Sequence, residues 1–124
     1  MRILVIDDSK TMRNIHRTTL GTLGFTQIED AGNGQEGLEK AAAFKPELIL
    51  LDWNMPVMDG LTFAKQFRAT NKKTPIIMVT TEAEKARVVE AIKAGVNNYV
   101  VKPFTPAALG QKVTETIAKF SEAA

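Results

Sequence analysis

Short, almost continuous apolar runs recur along the chain and alternate with longer segments whose apolar residues are three or four positions apart. The four clearest runs cover residues 3–6, 48–51, 76–79 and 99–101. Runs of this kind are typical of strands that are covered on both faces, as in a parallel sheet. Residues 26–29 alternate between polar and apolar instead, which predicts a fifth strand at an edge of the sheet.

The longer segments predict five helices, one after each strand. Asn33, Asp59 and Thr105 are residue types that cap helix N-termini, and Gly24 and Gly95 stand where helices commonly end. The apolar stripes that we expect to face the sheet consist of Met12, Ile15, Thr19, Leu20 and Leu23; of Leu61, Ala64 and Phe67; of Val88, Val89 and Ile92; and of Leu109, Val113, Ile117 and Phe120.

The regular alternation of strand and helix, five times over, predicts an α/β fold. We expect a doubly wound (βα)5 three-layer sandwich, with a parallel five-stranded sheet in the order 2-1-3-4-5 that is common to flavodoxin-like proteins. The predicted elements fill residues 1–124 without a linker or repeat. We therefore expect one domain over residues 1–124 and no output domain.

Composition narrows the functional classes. The 124 residues include no cysteine, which excludes disulfides and Cys-ligated zinc. The net charge is +2, from 16 basic and 14 acidic side chains, and no basic block is interleaved with aromatics, so we expect no nucleic-acid partner. No apolar run approaches the length of a membrane span, and no signal-peptide pattern opens the chain. We expect a cytoplasmic protein without a membrane contact.

Polar side chains end four of the predicted strands: Asp7 and Asp8 follow the first, Asp52 the third, Thr80 ends the fourth and Lys102 ends the fifth. With the order 2-1-3-4-5, ligands bind beyond the carboxyl ends of the strands, between the first and the third. Three close carboxylates repel one another and need raised pKa values or a cation. Oxygen ligands without His or Cys predict Mg²⁺, with Mn²⁺ as the alternative.

A lysine, a hydroxyl group and a metal around Asp52 are suited to holding a phosphoryl group on that carboxylate. Taken singly, Asp7, Asp8 and Thr80 fit ordinary roles as turn or capping residues, and Lys102 fits that of a solvated lysine. An acid directly after a buried apolar run is costly to bury unless it has a function. By contrast, we expect Trp53 to serve packing and His16 to have a solvated or helix-edge role.

These residues together resemble the receiver domain of two-component response regulators over essentially the whole chain. The resemblance rests on Asp7-Asp8, on Asp52 within the segment LDWNMPVMDG, on Thr80 and on Lys102-Pro103-Phe104. Within that family the chain looks most similar to the stand-alone chemotaxis regulators of the CheY type. The residues that point to this type are Trp53, Asn54, Glu82 and Tyr99.

The resemblance implies a role for each site residue. Asp52 accepts a phosphoryl group, and Lys102 contacts the phosphoryl oxygens. Magnesium is bound by the carboxylates of Asp8 and Asp52, by the backbone carbonyl of Asn54 and by Asp7 through water. The protein is then mainly a phosphoacceptor switch that catalyses its own phosphorylation and dephosphorylation.

The resemblance also implies a switch and a way of tuning it. Thr80 moves toward the phosphate and Tyr99 swings from an exposed to a buried position. Asn54 and Glu82 tune hydrolysis of the acyl phosphate. Thr81 stands where the chemotaxis proteins often carry alanine, so we expect altered access to the phosphate. The Lys102-Pro103 peptide bond is expected to be cis.

The implied partners are a CheA-like sensor histidine kinase, a downstream target such as the flagellar motor switch, and a phosphatase. The target is expected on the surface of the fourth helix, fifth strand and fifth helix, and the protein is expected to be a monomer. Cations suited to an acidic or amphipathic partner lie along that surface. They are Lys85, Arg87, Lys93, Lys112 and Lys119.

Three alternative functions are left open. A flavin- or nucleotide-binding domain shares the topology, but Asp7-Asp8-Ser9-Lys10 replaces the glycine-rich phosphate loop that it needs. A metal-dependent phosphatase with an aspartyl nucleophile would need a second acid, which Asp52-Trp53-Asn54 lacks. A phosphorelay intermediate or non-chemotactic adaptor receiver has the same site residues and is not separated from a motility role by the sequence.

Overall fold

In the computed structural model of the chain, which describes residues 1–123, five parallel strands and five helices alternate. The strands are β1 (Arg2–Ile6), β2 (Gln27–Ala31), β3 (Leu48–Leu51), β4 (Ile76–Thr80) and β5 (Asn98–Val101). The helices are α1 (Lys10–Thr22), α2 (Gly34–Phe44), α3 (Gly60–Thr70), α4 (Lys85–Lys93) and α5 (Pro106–Ala123). The strand order is β2-β1-β3-β4-β5, which confirms the predicted doubly wound fold.

The register of the sheet aligns the carboxyl ends of the central strands. Ile6 of β1 is level with Leu51 of β3 on one side and with Ala31 of β2 on the other. The chain reverses its direction of winding between β1 and β3, since β2 lies on one side of β1 and all later strands lie on the other. A crevice therefore opens above Ile6 and Leu51, where ligands bind in folds of this kind.

Two apolar layers cover the sheet, because successive strand residues point to opposite faces. Leu4 and Ile6 face a cluster that includes Phe63 of α3, whereas Ile3 and Val5 face one that includes residues of α1 and α5. All residues of β3 and β4 are buried, as their continuous apolar runs predict. β2 alternates in burial at the edge of the sheet, as its alternating sequence predicts.

The predicted helix caps are confirmed. The side chains of Asn33, Asp59 and Thr105 each accept a hydrogen bond from the backbone N–H three residues on, at 2.9, 2.8 and 3.0 Å. Gly24 and Gly95 follow α1 and α4 with φ angles of 94° and 102°, which glycine adopts without strain. Among the helices of residues 1–123, none is long and apolar enough to cross a bilayer.

The predicted stripe of α4 is wrong at two of its three positions, since only Val88 is half-buried. Val89 and Ile92 are 41% and 58% exposed, and the buried residue of this helix is Ala91. The side chains that are buried at this end of α4 are the small ones of Ala91 and of Ala94, the residue that caps the helix, and both belong to the core cluster that includes Phe63. Val89 and Ile92, two of the larger apolar side chains of α4, face solvent. Ile15 and Leu23 of α1 are likewise 38% and 41% exposed.

Candidate functional site

Three carboxylates meet where β1 and β3 end. Each of Asp7, Asp8 and Asp52 offers an oxygen within 4.8 Å of the oxygens of the other two. The backbone sets this meeting, because the Asp52 N–H donates to the Ile6 carbonyl at 2.9 Å and the Asp7 N–H donates to the Ala31 carbonyl at 3.0 Å. Asp7 and Asp52 are buried, whereas Asp8 is exposed.

Asp7 is the most firmly held member of the cluster. Its Oδ1 accepts a hydrogen bond from the Ser9 N–H at 2.9 Å, and its Oδ2 accepts one from Lys102 Nζ at 3.0 Å. The guanidinium of Arg13 donates to its backbone carbonyl at 2.7 Å. A carboxylate that is 1% exposed needs such partners, since burying it unpaired is costly. The geometry thus gives the buried Asp7 carboxylate a hydrogen-bond donor at each of its two oxygens.

Asp52 is held less completely. Its Oδ1 accepts from the Trp53 N–H at 2.8 Å, and its Oδ2 lies 3.6 Å from Lys102 Nζ. Burial, and then the neighbouring Asp7, raise the pKa of Asp52 to about 6, whereas the Lys102 ammonium and the Trp53 N–H act in the opposite direction. Asp52 is therefore ionised at neutral pH but under electrostatic repulsion, which a bound cation would relieve.

Lys102 reaches the cluster from the end of β5. Its backbone N–H donates to the Thr80 carbonyl at 2.8 Å, which continues the ladder between β4 and β5. The peptide bond to Pro103 is cis, as predicted. The ammonium group lies between the two buried acids, 3.0 Å from Asp7 and 3.6 Å from Asp52. The single positive charge of Lys102 thus partly compensates the negative charges of two carboxylates.

Thr80, Asn54 and Tyr99 converge on Glu82, in the loop after β4. Glu82 donates its N–H to Thr80 Oγ1 at 3.3 Å, and its carboxylate accepts from Asn54 Nδ2 at 3.1 Å. The Tyr99 hydroxyl donates to the Glu82 carbonyl. Thr80 is fully buried, Tyr99 is half-buried and Thr81 is exposed. The sequence predicts a role for each of these residues. It does not predict that three of them share Glu82 as a hydrogen-bond partner, because this depends on the conformation of the loop.

The donor set of the acidic cluster fits a hard divalent cation. All three side chains present carboxylate oxygens, and the closeness of their oxygens suits an ion that would offset their mutual repulsion. The pKa of Asp52, raised in part by Asp7, is the electrostatic sign of that repulsion. The residues present therefore fit Mg²⁺, as the sequence predicts, and the full set of ligands stays a prediction.

The prediction for His16 is wrong. Its side chain is 1% exposed and its ring stacks on that of Phe104, with ring centroids 5.7 Å apart and planes at 11°. Burial, and then the Lys102 ammonium, lower the pKa of His16 to about 4, so the imidazole is neutral at pH 7. The rotation of α1 turns His16 inward and Ile15 outward, which residue spacing alone does not determine.

The packing role predicted for Trp53 is confirmed. Its side chain is 4% exposed and belongs to the core cluster on the side of α3. The guanidinium of Arg87 lies 5.4 Å from the centroid of the indole ring, a cation–π distance. Trp53, which directly follows Asp52, is thus in contact with the first turn of α4.

An exposed surface on α4, β5 and α5 combines apolar and basic side chains. Val89, Ile92 and Val101 are 41%, 58% and 41% exposed. The cations predicted for this surface lie on the same helices, on α4 (Lys85, Arg87, Lys93) and on α5 (Lys112, Lys119). Exposed apolar side chains together with charged ones are typical of surfaces that bind another protein.

Comparison with known protein families matches residues 3–114 to the response regulator receiver domain. The chain is 52% identical over 116 residues to the chemotaxis protein CheY1 of Helicobacter pylori, and the match covers 91% of this chain and 94% of that protein.

Solved structures include two relatives of the same shape. Chemotaxis protein CheY4 of Vibrio cholerae is 36% identical with a TM-score of 0.86, covering 93% of this chain and 97% of that one. A chain of the CheX-CheY-BeF3-Mg²⁺ complex from Borrelia burgdorferi is 25% identical with a TM-score of 0.91, covering 94% of this chain and 89% of that one.

Proposed function

The chain belongs to the response regulator receiver domain family, and from that premise we propose that Asp52 accepts a phosphoryl group from the phosphohistidine of a sensor histidine kinase. The observation that carries the proposal is the position of Asp52, which lies beside Asp7 and Asp8 with the Lys102 ammonium in reach. Asp7 is also buried at a strand end beside two carboxylates and Lys102, but both of its carboxylate oxygens accept hydrogen bonds, whereas Oδ2 of Asp52 accepts none from the described residues. The resulting phosphoaspartate is the signal.

The transfer depends on a divalent cation, Mg²⁺ or in its place Mn²⁺. Asp7, Asp8, Asp52 and the backbone carbonyl of Asn54 would hold it, with Asp7 acting through water. When bound, the cation would supply positive charge that offsets the charge on the phosphoryl oxygens. The cluster of carboxylate oxygens supports this assignment. The Borrelia relative forms a complex that contains BeF3 and Mg²⁺.

In the transfer step, Asp52 acts as the nucleophile and Lys102 offsets charge on the phosphoryl group. A carboxylate oxygen of Asp52 attacks the phosphorus, the P–N bond to the donor imidazole breaks, and its electron pair stays with the nitrogen, which takes up a proton from water. Because the pKa of Asp52 is about 6, the nucleophile is ionised at neutral pH. Lys102 turns from the acids to the phosphoryl oxygens and offsets their charge.

Hydrolysis resets the switch. Water attacks the phosphorus, the P–O bond to Asp52 breaks, and the carboxylate and inorganic phosphate are released. Asn54 and Glu82, which are joined by a 3.1 Å hydrogen bond, tune the rate of this hydrolysis. Thr81, an exposed residue next to Thr80, limits access to the phosphate. The chain catalyses both half-reactions on itself and acts mainly as a switch.

The phosphoryl group adds about two negative charges to a confined site. Thr80 leaves Glu82 and donates its hydroxyl hydrogen to the phosphate, and the loop after β4 follows. Tyr99 then loses its present partner, the Glu82 carbonyl, and turns inward. Both conformations pre-exist, and phosphorylation shifts their populations. The network through Glu82 supports this route.

The pathway we propose is chemotaxis. A CheA-like kinase supplies the phosphoryl group, the flagellar motor switch binds the surface on α4, β5 and α5, and a phosphatase shortens the signal. The similarity to chemotaxis proteins of Helicobacter and Vibrio supports this pathway. We further propose that residues 1–124 act as one receiver domain, as a monomer and in the cytoplasm.

Acetyl phosphate provides the test. Wild-type protein incubated with acetyl phosphate and Mg²⁺ should gain the mass of one phosphoryl group, and a chelator should prevent the gain. Asp52→Asn should gain nothing. Asp30→Asn is the matched control, because Asp30 is an acid near the carboxyl end of β2 that lies outside the cluster and pairs with Arg13 and Arg17. Labelling of Asp52→Asn, or labelling that survives the chelator, would contradict the proposal.

A further inference from the structure

The segment that carries Lys102 is anchored on both sides. Upstream, the backbone N–H of Lys102 donates to the Thr80 carbonyl at 2.8 Å. Downstream, Phe104 is separated from Lys102 by Pro103 alone, whose ring fixes one backbone dihedral. The orientation of Phe104 is therefore coupled to that of Lys102. The ring of Phe104 rests against His16 of α1, with centroids 5.7 Å apart and planes at 11°.

His16 contributes its flat shape to this contact rather than a hydrogen bond. Its side chain is 1% exposed, and its Nδ1 atom is buried without a hydrogen-bond partner among the described residues. A buried polar atom without a partner costs stability, so packing alone would be served better by an apolar residue. Burial and the Lys102 ammonium lower the pKa of His16, so its ring brings no competing charge.

We propose that His16 is a positioning residue for phosphoryl transfer, whose ring fixes Lys102 through the stack on Phe104. The ammonium group is thereby held within reach of both Asp7 and Asp52, at 3.0 and 3.6 Å. A displacement of a charged group by about 1 Å can slow a transfer by one to two orders of magnitude. This inference rests on the proposed function, because it assigns His16 a role in the reaction at Asp52.

Two substitutions at His16 test whether the flat shape of the ring matters, rather than its volume or its nitrogen atoms. His16→Phe keeps a flat ring that can stack on Phe104, whereas His16→Leu fills the space without one. We expect His16→Leu to slow phosphorylation by acetyl phosphate about tenfold at saturating Mg²⁺. His16→Phe should remain within about twofold of wild type. A rate for His16→Phe as low as that of His16→Leu would overturn the role of the stack.

A second readout distinguishes positioning from a general loosening of the site. Lys102 contacts the carboxylates and is not a metal ligand, so His16→Leu should bind Mg²⁺ no more weakly than wild type, as followed by Trp53 fluorescence. Leu20→Ala is the matched control, because Leu20 is also fully buried on α1, one turn after His16. It should lower stability and leave the phosphorylation rate unchanged. A rate loss in Leu20→Ala equal to that in His16→Leu would contradict the proposal.

A double-variant experiment tests whether the two rings act as a unit. Phe104→Leu should slow phosphorylation to a similar degree, and His16→Leu combined with Phe104→Leu should be no slower than the slower single variant. Multiplicative effects would overturn the coupling. Equal rates for wild type and His16→Leu would overturn only the role of His16. Absence of phosphorylation in wild type would instead overturn the proposed function.

Discussion

At the scale of single residues, the site is a balance of charge in a confined volume. Lys102 compensates two buried acids, and Asp7 takes the shorter contact of the two. A buried carboxylate that loses its partner destabilises the protein by about 3 kcal/mol, since its desolvation is no longer offset. The same lysine that handles the phosphoryl group in the proposed reaction therefore also stabilises the resting fold.

Replacing Lys102 by methionine should make stability depend strongly on magnesium. In chelator, we expect the free energy of unfolding to fall by about 3 kcal/mol relative to wild type. Saturating Mg²⁺ should recover most of this loss, because the cation then compensates the carboxylates. Urea unfolding followed by Trp53 fluorescence gives both values. Lys65→Met, at an exposed lysine of α3, is the control and should change neither. A stability of Lys102→Met equal to wild type in chelator would contradict this balance.

The buried imidazole of His16 should give the fold a sensitivity to acid. The pKa is about 4 in the folded protein and 6.5 when the ring is exposed, so the unfolded chain binds a proton first as the pH falls. The stabilising contribution is thus complete above 6.5 and is lost progressively toward about 4. Relative to His16→Phe, wild type should lose about 2 kcal/mol of unfolding free energy between about pH 7.5 and about pH 5.

Urea unfolding of both proteins at several pH values measures this difference directly. The comparison with His16→Phe cancels the carboxylates that titrate in both proteins. A difference between the two proteins that stays constant with pH would mean that the imidazole titrates normally in the folded state. It would also mean that its burial is incomplete in solution.

At the scale of secondary-structure elements, the start of α3 is packed directly against the site. A Cβ atom on Gly60 would lie 2.0 Å from the backbone carbonyl oxygen of Asp52, and the Gly60 N–H donates to the Trp53 carbonyl at 2.8 Å. Backbone atoms cannot yield as a flexible side chain can. The close approach of α3 is therefore part of what fixes the Asp52 backbone.

We expect opposite effects from two glycine-to-alanine substitutions. Gly60→Ala should destabilise the protein by about 3 kcal/mol and slow phosphorylation, because the Asp52 backbone must shift. Gly21→Ala, in α1 with nothing within 4 Å of the added Cβ, should stabilise it by about 0.5–1 kcal/mol without changing the rate. Thermal unfolding and acetyl phosphate labelling measure both. A phosphorylation rate of Gly60→Ala at the wild-type level would show that this contact does not position Asp52.

The elements also show how far the sequence alone leads. β3 and β4 could be predicted because a short, continuous apolar run between turn residues is typical of a strand buried on both faces. The buried face of α4 could not be predicted in this way, because which residues of a helix are buried depends on how much of the sheet the helix covers. The closeness of Asp7 and Asp52 follows from the strand order. The contact of His16 with Phe104, by contrast, joins two segments that are far apart in the chain. Such contacts are set by packing, which local patterns do not encode.

At the scale of the whole molecule, the fold places the acidic site and the exposed apolar and basic surface at different parts of its periphery. Thr80, Glu82 and Tyr99 form the hydrogen-bonded connection between them. β4 and β5 are paired in register, with Thr80 beside Val101. A change at Thr80 therefore has a short structural path to the surface on α4 and β5.

If this connection couples the two regions, it must act equally in both directions. Beryllofluoride, which has the charge and tetrahedral shape of a phosphoryl group, should raise the affinity for a flagellar switch peptide by a factor of about 5–150. The peptide should then raise the affinity for beryllofluoride by the same factor, measured through Trp53 fluorescence in Mg²⁺. Ile92→Ser, at a residue 58% exposed, should weaken peptide binding and leave beryllofluoride affinity without peptide unchanged. Equal peptide affinities with and without beryllofluoride would mean that the site and the surface are independent. The coupling free energy would then be zero, and a phosphoryl group on Asp52 could not change the affinity for the partner.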